Sequence, residues 1–404
     1  MTESQNRRRF LKTTTVAAIA APQIISASAL GLENKPAASD RIQIGLIGAG
    51  GMGRANLGNC AKYPDVEVTG VCDVWKQRRD AAITQFKHAK AYSDHREMLA
   101  SDQIDAVIIA TPPHWHCLLA VAACEAGKDL YLQKPMTLHL NESLAVQRAV
   151  ARHQRICQVG TQIHASANYR RVVELVRSGN LGRISVVRTF NVMNQGPEGI
   201  GNPAECAPPA GLDWQRWVGP APMRPFNSLI VKSAYENCSF MDYSGGWTPG
   251  MAPHIIDLPC WAMDLDYPAM THCSGGRFTI QDAGDAPDMQ EVHWQYPDLT
   301  MTWSMSAVNS FAFDFGRGSR QRRLGIYFHG VRGTLLADYG KREVVAEGDW
   351  MEDAKTVDES LPPSPGHERE WLDCLRSRAQ PSCNPSYHGK IDVAIALVCG
   401  QKAH

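Results

Sequence analysis

The run Gly48-Ala49-Gly50-Gly51-Met52-Gly53 constrains this chain more than any other feature in it. It follows the short apolar stretch Ile42 to Ile47 without a break and leads into a helix-like segment. A strand that turns sharply into a helix leaves the first helical N–H groups and the positive end of the helix dipole bare, which is a seat for phosphate. Gly48 permits the tight turn, Gly50 lets the backbone approach a pyrophosphate, and Gly53 lets helix and strand pack closely, with Gly51 and Met52 completing the loop. Asp73 stands twenty residues past Gly53, at the end of the next apolar stretch, Val66 to Cys72. A carboxylate there is placed to accept from the adenosine ribose hydroxyls, which points to NAD. Arg78 and Arg79 follow closely enough to hold a 2′-phosphate and leave NADP open.

The pattern repeats downstream. It predicts helices over 76–87, 115–126 and 141–153, and strands over 104–110, 129–133 and 156–160. Strands alternating with helices of this length form right-handed βαβ units and a parallel sheet. After Gly160 the period changes. A helix is expected over 166–178, then alternating strands over 184–192, 291–296, 300–306, 324–329, 334–338 and 343–347, and helices again around 367–377 and 387–400. The fold class is therefore α/β: an N-terminal doubly wound Rossmann sheet over 41–160, and a C-terminal α+β domain over 161–404 with a large, mostly antiparallel open sheet. The last helices are expected to pack back on the first domain. The length of 404 residues suits two domains.

Hydrophobic residues make up 44% and charged residues 20%, an ordinary globular balance. Formal net charge is zero, so no electrostatic footprint for nucleic acid is visible. Beyond the N-terminus no apolar run is long enough to span a bilayer. The N-terminus itself reads as an export signal over 1–29. Arg7-Arg8-Arg9-Phe10-Leu11-Lys12 precedes an uncharged stretch that ends in a small-residue cleavage site at Ala27-Ser28-Ala29. The paired arginines resemble a twin-arginine signal, followed by a polar linker over 30–40, so a periplasmic protein is expected. The signal carries four positive charges and one negative, which leaves about −3 on the mature chain.

The twelve cysteines include no C-x-x-C pair and no zinc-like spacing, so no metal is expected. Most read as buried free thiols, with one disulfide, Cys374 to Cys383, left open. The run Arg317, Arg320, Arg322, Arg323 reads as a solvated loop, and Trp214 and Trp217 as packing or interface residues. A homodimer or homotetramer is expected.

Two further segments sit at carboxyl ends of predicted parallel strands, where doubly wound folds bind ligands: Thr111-Pro112-Pro113-His114-Trp115-His116 and Gln133-Lys134-Pro135. Together with the glycine loop and Ser178-Gly179-Asn180-Leu181-Gly182-Arg183-Ile184, they resemble the glucose–fructose oxidoreductase / inositol dehydrogenase / rhizopine-catabolism (Gfo/Idh/MocA) family, over about residues 41–400. The resemblance implies that Lys134 lies beside the nicotinamide and the reacting carbinol, with a cis bond to Pro135. It implies that Thr111, Pro112, His114, His116, Gln133 and Gln162 border the cofactor, with His164 and Tyr169 toward the substrate. The family's usual glutamate before the lysine is Gln133 here.

The segment Gly250-Met251-Ala252-Pro253-His254-Ile255-Ile256-Asp257 resembles the family's D-x-x-x-H-x-x-D helix, in which the histidine is the general acid/base. His254 and Asp257 match, and Gly250 replaces the first aspartate. Three residues apart, His254 and Asp257 share a helical face, where a carboxylate can fix an imidazole's tautomer. The expected function is hydride transfer between NAD(P), tightly held, and a secondary alcohol of a sugar or cyclitol, with Lys134, His254 and Asp257 as the catalytic set. Two rivals remain open. One is an NAD-dependent glycosidase acting by transient oxidation and elimination. The other is a non-catalytic binding protein on the same fold, for which Gly250 speaks.

Overall fold

The computed structural model describes residues 36–311, 323–349 and 357–399. The expected signal, most of the linker, and Arg317, Arg320 and Arg322 lie outside the described residues.

Strands β1 (Ile42–Ile47), β2 (Val66–Cys72), β3 (Lys90–Tyr92), β4 (Ala106–Ile109), β5 (Asp129–Leu132) and β6 (Cys157–Val159) form a sheet in the order β3-β2-β1-β4-β5-β6. Every pairing in it is parallel. Parallel strands need helical crossovers, which cover both faces, so β4 and β5 are buried at every position. One face packs Leu46, Ile108 and Tyr131 against helix Gly51–Cys60 and against Trp371 and Leu372 of helix His367–Ser377. The other packs Ile47, Val107, Ile109 and Leu132 against helices His116–Glu125 and Leu140–His153. Each such aliphatic side chain, fully buried, stabilises the fold by about 1.5–3 kcal/mol. Because β1 lies between β2 and β4, the strand order reverses there, and a crevice opens at their carboxyl ends.

Strands β7 (Ile184–Val192), β8 (Met270–Gly276), β9 (Met289–Gln295), β10 (Thr300–Ser306), β11 (Leu324–Gly330), β12 (Gly333–Ala337) and β13 (Arg342–Ala346) form the second sheet, in the order β13-β12-β11-β7-β10-β9-β8. It is antiparallel except where β10 runs parallel to β7. Alternation along β10 turns Met301, Trp303 and Met305 inward. They share a core with helices Ala167–Arg177, Pro253–Met263 and Pro385–Cys399.

Between β7 and β8 the chain builds a smaller core of its own from Leu212, Trp217, Phe226, Ile230, Phe240 and Tyr243. Val74 and Trp75, from the loop after β2, pack against it. Cys374 and Cys383 are both free, which corrects the disulfide considered above. Cys374 belongs to the core around β1, whereas Cys383 approaches Thr161. Among the described residues no helix is long and apolar enough to cross a membrane.

Candidate active site

The glycine loop leaves β1 through Gly48, whose φ of +93° disfavours any side chain. A Cβ there would lie 2.7 Å from the backbone of Ala110 and Thr111, and one at Gly53 would lie 2.1 Å from the Gly48 carbonyl oxygen. Gly50 caps helix Gly51–Cys60 without any side-chain hydrogen bond, so the first N–H groups face the crevice unshielded by a capping side chain. Gly51 has nothing near its Cβ position, and Met52 is exposed. These glycines make the close-approach cradle that a pyrophosphate requires, and the residues present fit a dinucleotide.

Asp73 does two things at once. Its Oδ2 accepts from the Ala49 N–H and its Oδ1 from the Trp75 N–H, both at 2.7 Å. The carboxylate therefore ties the glycine loop to the end of β2 while lining a cleft with Gly48, Gly50, Arg78, Thr111 and Pro112. Burial raises the Asp73 carboxyl, against the two backbone N–H groups and Arg78. Arg78 lies over the Trp75 ring, 4.4 Å from its centroid, and also lines the cleft.

The histidines of the next loop act as brackets, each ring held between backbone carbonyls. His116 faces the Pro135 carbonyl through Nδ1 at 2.7 Å and the Thr111 carbonyl through Nε2 at 2.9 Å. It fastens the loop after β4 to the loop after β5. His114 lies between the carbonyls of Tyr243 (3.2 Å) and Trp217 (3.1 Å), and so joins the first domain to the small second-domain core. Burial lowers the pKa of both, His116 to about 4. Each ring nitrogen already meets a protein carbonyl, and neither side chain lines the cleft.

Gln133 is buried. Its amide donates to Asn56 Oδ1 at 2.7 Å, and its carbonyl accepts from the Lys134 N–H at 3.2 Å. Gln162 donates to the Tyr131 hydroxyl at 3.5 Å. The Lys134–Pro135 bond is cis, as the resemblance implies. The Lys134 ammonium crosses to the second domain and donates to the Gly250 carbonyl at 2.7 Å. A Cβ at Gly250 would lie 2.7 Å from Cys238 Sγ. Burial lowers the Lys134 pKa.

Four residues beyond Gly250, His254 enters helix Pro253–Met263. Burial, and then the Lys134 charge, hold its imidazole well below the usual histidine value, against Asp257. It is therefore neutral at neutral pH. Its ring stands edge-on to Tyr339, 6.2 Å between centroids. Sequence reasoning passed over Tyr339, whose only local mark is the Asp338-Tyr339-Gly340 turn.

Asp257 makes its hydrogen bonds elsewhere than at His254 and acts on that ring through its charge. Its Oδ1 accepts from His164 Nε2 at 3.1 Å and from the Tyr387 hydroxyl. His164 in turn stacks on Trp261 at 4.1 Å and is buried, as is Tyr169, so neither opens toward a substrate as expected. Tyr169 instead packs against Tyr339, with ring centroids 5.7 Å apart. His164, Asp257 and Cys383 bring ligand-type atoms within 4.8 Å of one another, a cluster that spacing along the chain did not reveal. Burial opposes charge on His164, but Cys383 and Asp257 outweigh it and raise its pKa well above the usual value. Burial likewise opposes charge on Asp257, and His164 outweighs it. The two groups form a buried ion pair that anchors the His254 helix.

Fold and cradle together define a two-domain α/β protein with a dinucleotide seat at the switch point of its parallel sheet. Residues 42–161 match the Gfo/Idh/MocA family, described as an oxidoreductase family with an NAD-binding Rossmann fold. The chain is 28% identical over 202 residues to a glycosyl hydrolase family 109 protein of Shewanella pealeana, and 26% identical over 202 residues to an alpha-N-acetylgalactosaminidase of Shewanella oneidensis. Each match covers 44% of this chain and 44% of the relative, so the chain is matched over less than half the length of these proteins. Across 87% of this chain and 93% of the other, the fold is similar to the WlbA dehydrogenase from Bordetella pertussis, solved with NADH and UDP-GlcNAcA, at a TM-score of 0.65 and 18% identity.

Proposed function

We propose that this protein transfers a hydride between a tightly held nicotinamide dinucleotide, NAD in preference to NADP, and a secondary alcohol of a sugar or cyclitol. The observation that carries this is the bond from Lys134, at the end of β5, to Gly250, one helical turn before His254. It brings a half-buried cation and a neutral imidazole to one place beside the dinucleotide crevice. A bound nicotinamide supplies the hydride acceptor or donor. The His254 imidazole accepts the carbinol proton during oxidation and returns it during reduction. The Lys134 ammonium, one N–H of which is held by Gly250, offers its remaining donors to the carbinol oxygen as negative charge develops there. Asp257 and His164 position the helix that carries His254.

A second reading is supported by the glycosyl hydrolase family 109 relatives. Oxidation of the sugar would acidify an adjacent C–H, elimination would expel the aglycone and leave a double bond, water would add to that double bond, and the hydride would be returned to the carbonyl. Purified protein offered sugars, cyclitols and glycosides decides between the two. Hydride transfer to or from a free sugar or cyclitol gives an oxidised or reduced sugar matched by a change in reduced-nicotinamide absorbance. The glycosidase gives sugar and aglycone in equal amounts with no such change. Neither product, on a protein shown to bind nucleotide, would leave a binding protein.

Export completes the proposal. The resemblance of Arg7-Arg8 to a twin-arginine signal supports a periplasmic location, where the cofactor would have to be loaded before export and retained. N-terminal sequencing of periplasmic material is expected to start near Leu30, and Arg7→Lys with Arg8→Lys to abolish export.

A further inference from the structure

We infer that the segment 209–219 of the second domain is the roof of the adenosine subsite, with Arg216 and Trp217 covering the base and controlling its release. The inference rests on reading the cleft as a nucleotide site, and it names what holds the nucleotide there.

The cleft lies between the end of β2 and the loop after β4, and Lys134, just past β5, does not line it. A dinucleotide seated with its pyrophosphate on the glycine loop and its ribose at Asp73 extends its adenine into this half. The walls there are Val74, Pro112, Trp115 and Leu119, from the first domain. Arg216 and Trp217 also line it, and they come from helix Trp214–Val218 of the second domain.

This roof is fastened at several points. Leu212 bridges Trp75 in antiparallel fashion. The Lys76 N–H donates to the Gly211 carbonyl at 2.8 Å, and the Asp213 N–H to the Val74 carbonyl at 3.1 Å. Gln77 Nε2 donates to the Ala210 carbonyl at 2.6 Å. The Trp217 carbonyl accepts from Trp115 Nε1 at 2.9 Å. Gly219, with φ of +53°, lies so close to Trp115 that a Cβ would come within 2.1 Å of the indole. Val74 and Trp75 flank the anchoring contacts and sit in the second-domain core, so the loop beside Asp73 is not free to swing away.

Arg216 is held over the opening by ion pairs to Asp213 at 3.4 Å and Asp94 at 3.8 Å. A planar guanidinium fixed this way presents a face on which a purine stacks. Because the roof and the loop beside Asp73 are bonded together, the adenosine half leaves only when the roof lifts.

The test is nucleotide release from the purified full-length protein. The Arg216→Ala and Gln77→Ala double variant alters two part- or fully exposed side chains, so folding is spared, and a thermal melt of the nucleotide-free form is expected to match the parent. Release of 1,N6-etheno-NAD, chased with excess unlabelled NAD, is expected to be at least about ten-fold faster in the variant. Affinity for ADP-ribose is expected to fall by a similar factor, while affinity for nicotinamide mononucleotide is unchanged. Equal release rates in variant and parent would overturn the roof and leave the nucleotide site intact. A parent that binds neither NAD nor ADP-ribose would overturn both.

Discussion

Lys134 Nζ donates to the carbonyl oxygen of Gly250 across 2.7 Å, so a lysine at the end of a strand in one sheet is fixed by the turn that opens a helix against the other. Lys134→Ala and His254→Ala are each expected to lower turnover about 10²–10⁴-fold while the nucleotide stays bound. Steady-state rates on a verified substrate, beside nucleotide content by absorbance, check this. Full activity in His254→Ala would return His254 to a packing role.

Gly250→Ala adds a methyl group 2.7 Å from Cys238 Sγ. Overpacking of this kind costs about 1–3 kcal/mol and is expected to displace the carbonyl that holds Lys134. Adding Cys238→Ala removes the clash, so the double variant is expected to recover most of the lost stability and rate. A double-mutant cycle by denaturant titration measures the coupling. Purely additive losses would mean that the thiol does not limit position 250.

The Asp257–His164 pair is buried, and removing one partner leaves an uncompensated charge. Asp257→Ala is expected to cost about 3–5 kcal/mol. The Asp257 carboxyl is held below its ordinary value, so its contribution is present above the ordinary carboxyl range and is lost as pH falls below 3.8. The His164 pKa is raised, so its contribution is present at and below the ordinary histidine value of 6.5 and is lost only as pH rises through the raised value. Urea titrations of parent and variant are expected to differ most between these limits and to converge in acid. A difference independent of pH would argue that the site contributes packing alone.

Much of the architecture was legible because it follows from periodicity. The βαβ alternation gave the parallel sheet, and the alternating runs after Arg183 gave most of the second one. Strand β8 escaped because the stretch from Met270 to Gly276 has no apolar alternation and lies mostly exposed at a sheet edge. Strand β3 escaped because it is three residues long. At the site, residues set by local backbone were readable: Gly48, Gly53 and Asp73 act within one turn and two strands. Residues set by distant partners were not. His254 and Asp257 share a helical spacing, yet Asp257 finds its partners in His164 and Tyr387, 93 and 130 residues away in the chain. His114 and His116 were expected beside the cofactor, and their nitrogens meet carbonyls supplied by chain turns that no local pattern announces.

Asp73 joins the ribose seat to the glycine loop through the Ala49 N–H. Asp73→Ala is therefore expected to weaken both cofactors, because the loop loosens, and to weaken NAD more. A lost bond between a charged group and the ribose corresponds to roughly 10–150-fold in affinity. Calorimetric titration with NAD and NADP separates the two effects. Equal losses would mean that Asp73 only braces the loop.

The central claim is that this chain carries a nicotinamide dinucleotide in a cleft closed by both of its domains. The direct measurement is mass spectrometry of the small molecules freed by denaturing the purified, dialysed, full-length protein. About one NAD per chain is the predicted result. An empty cleft that takes up neither NAD nor NADP when either is added in large excess would contradict the account.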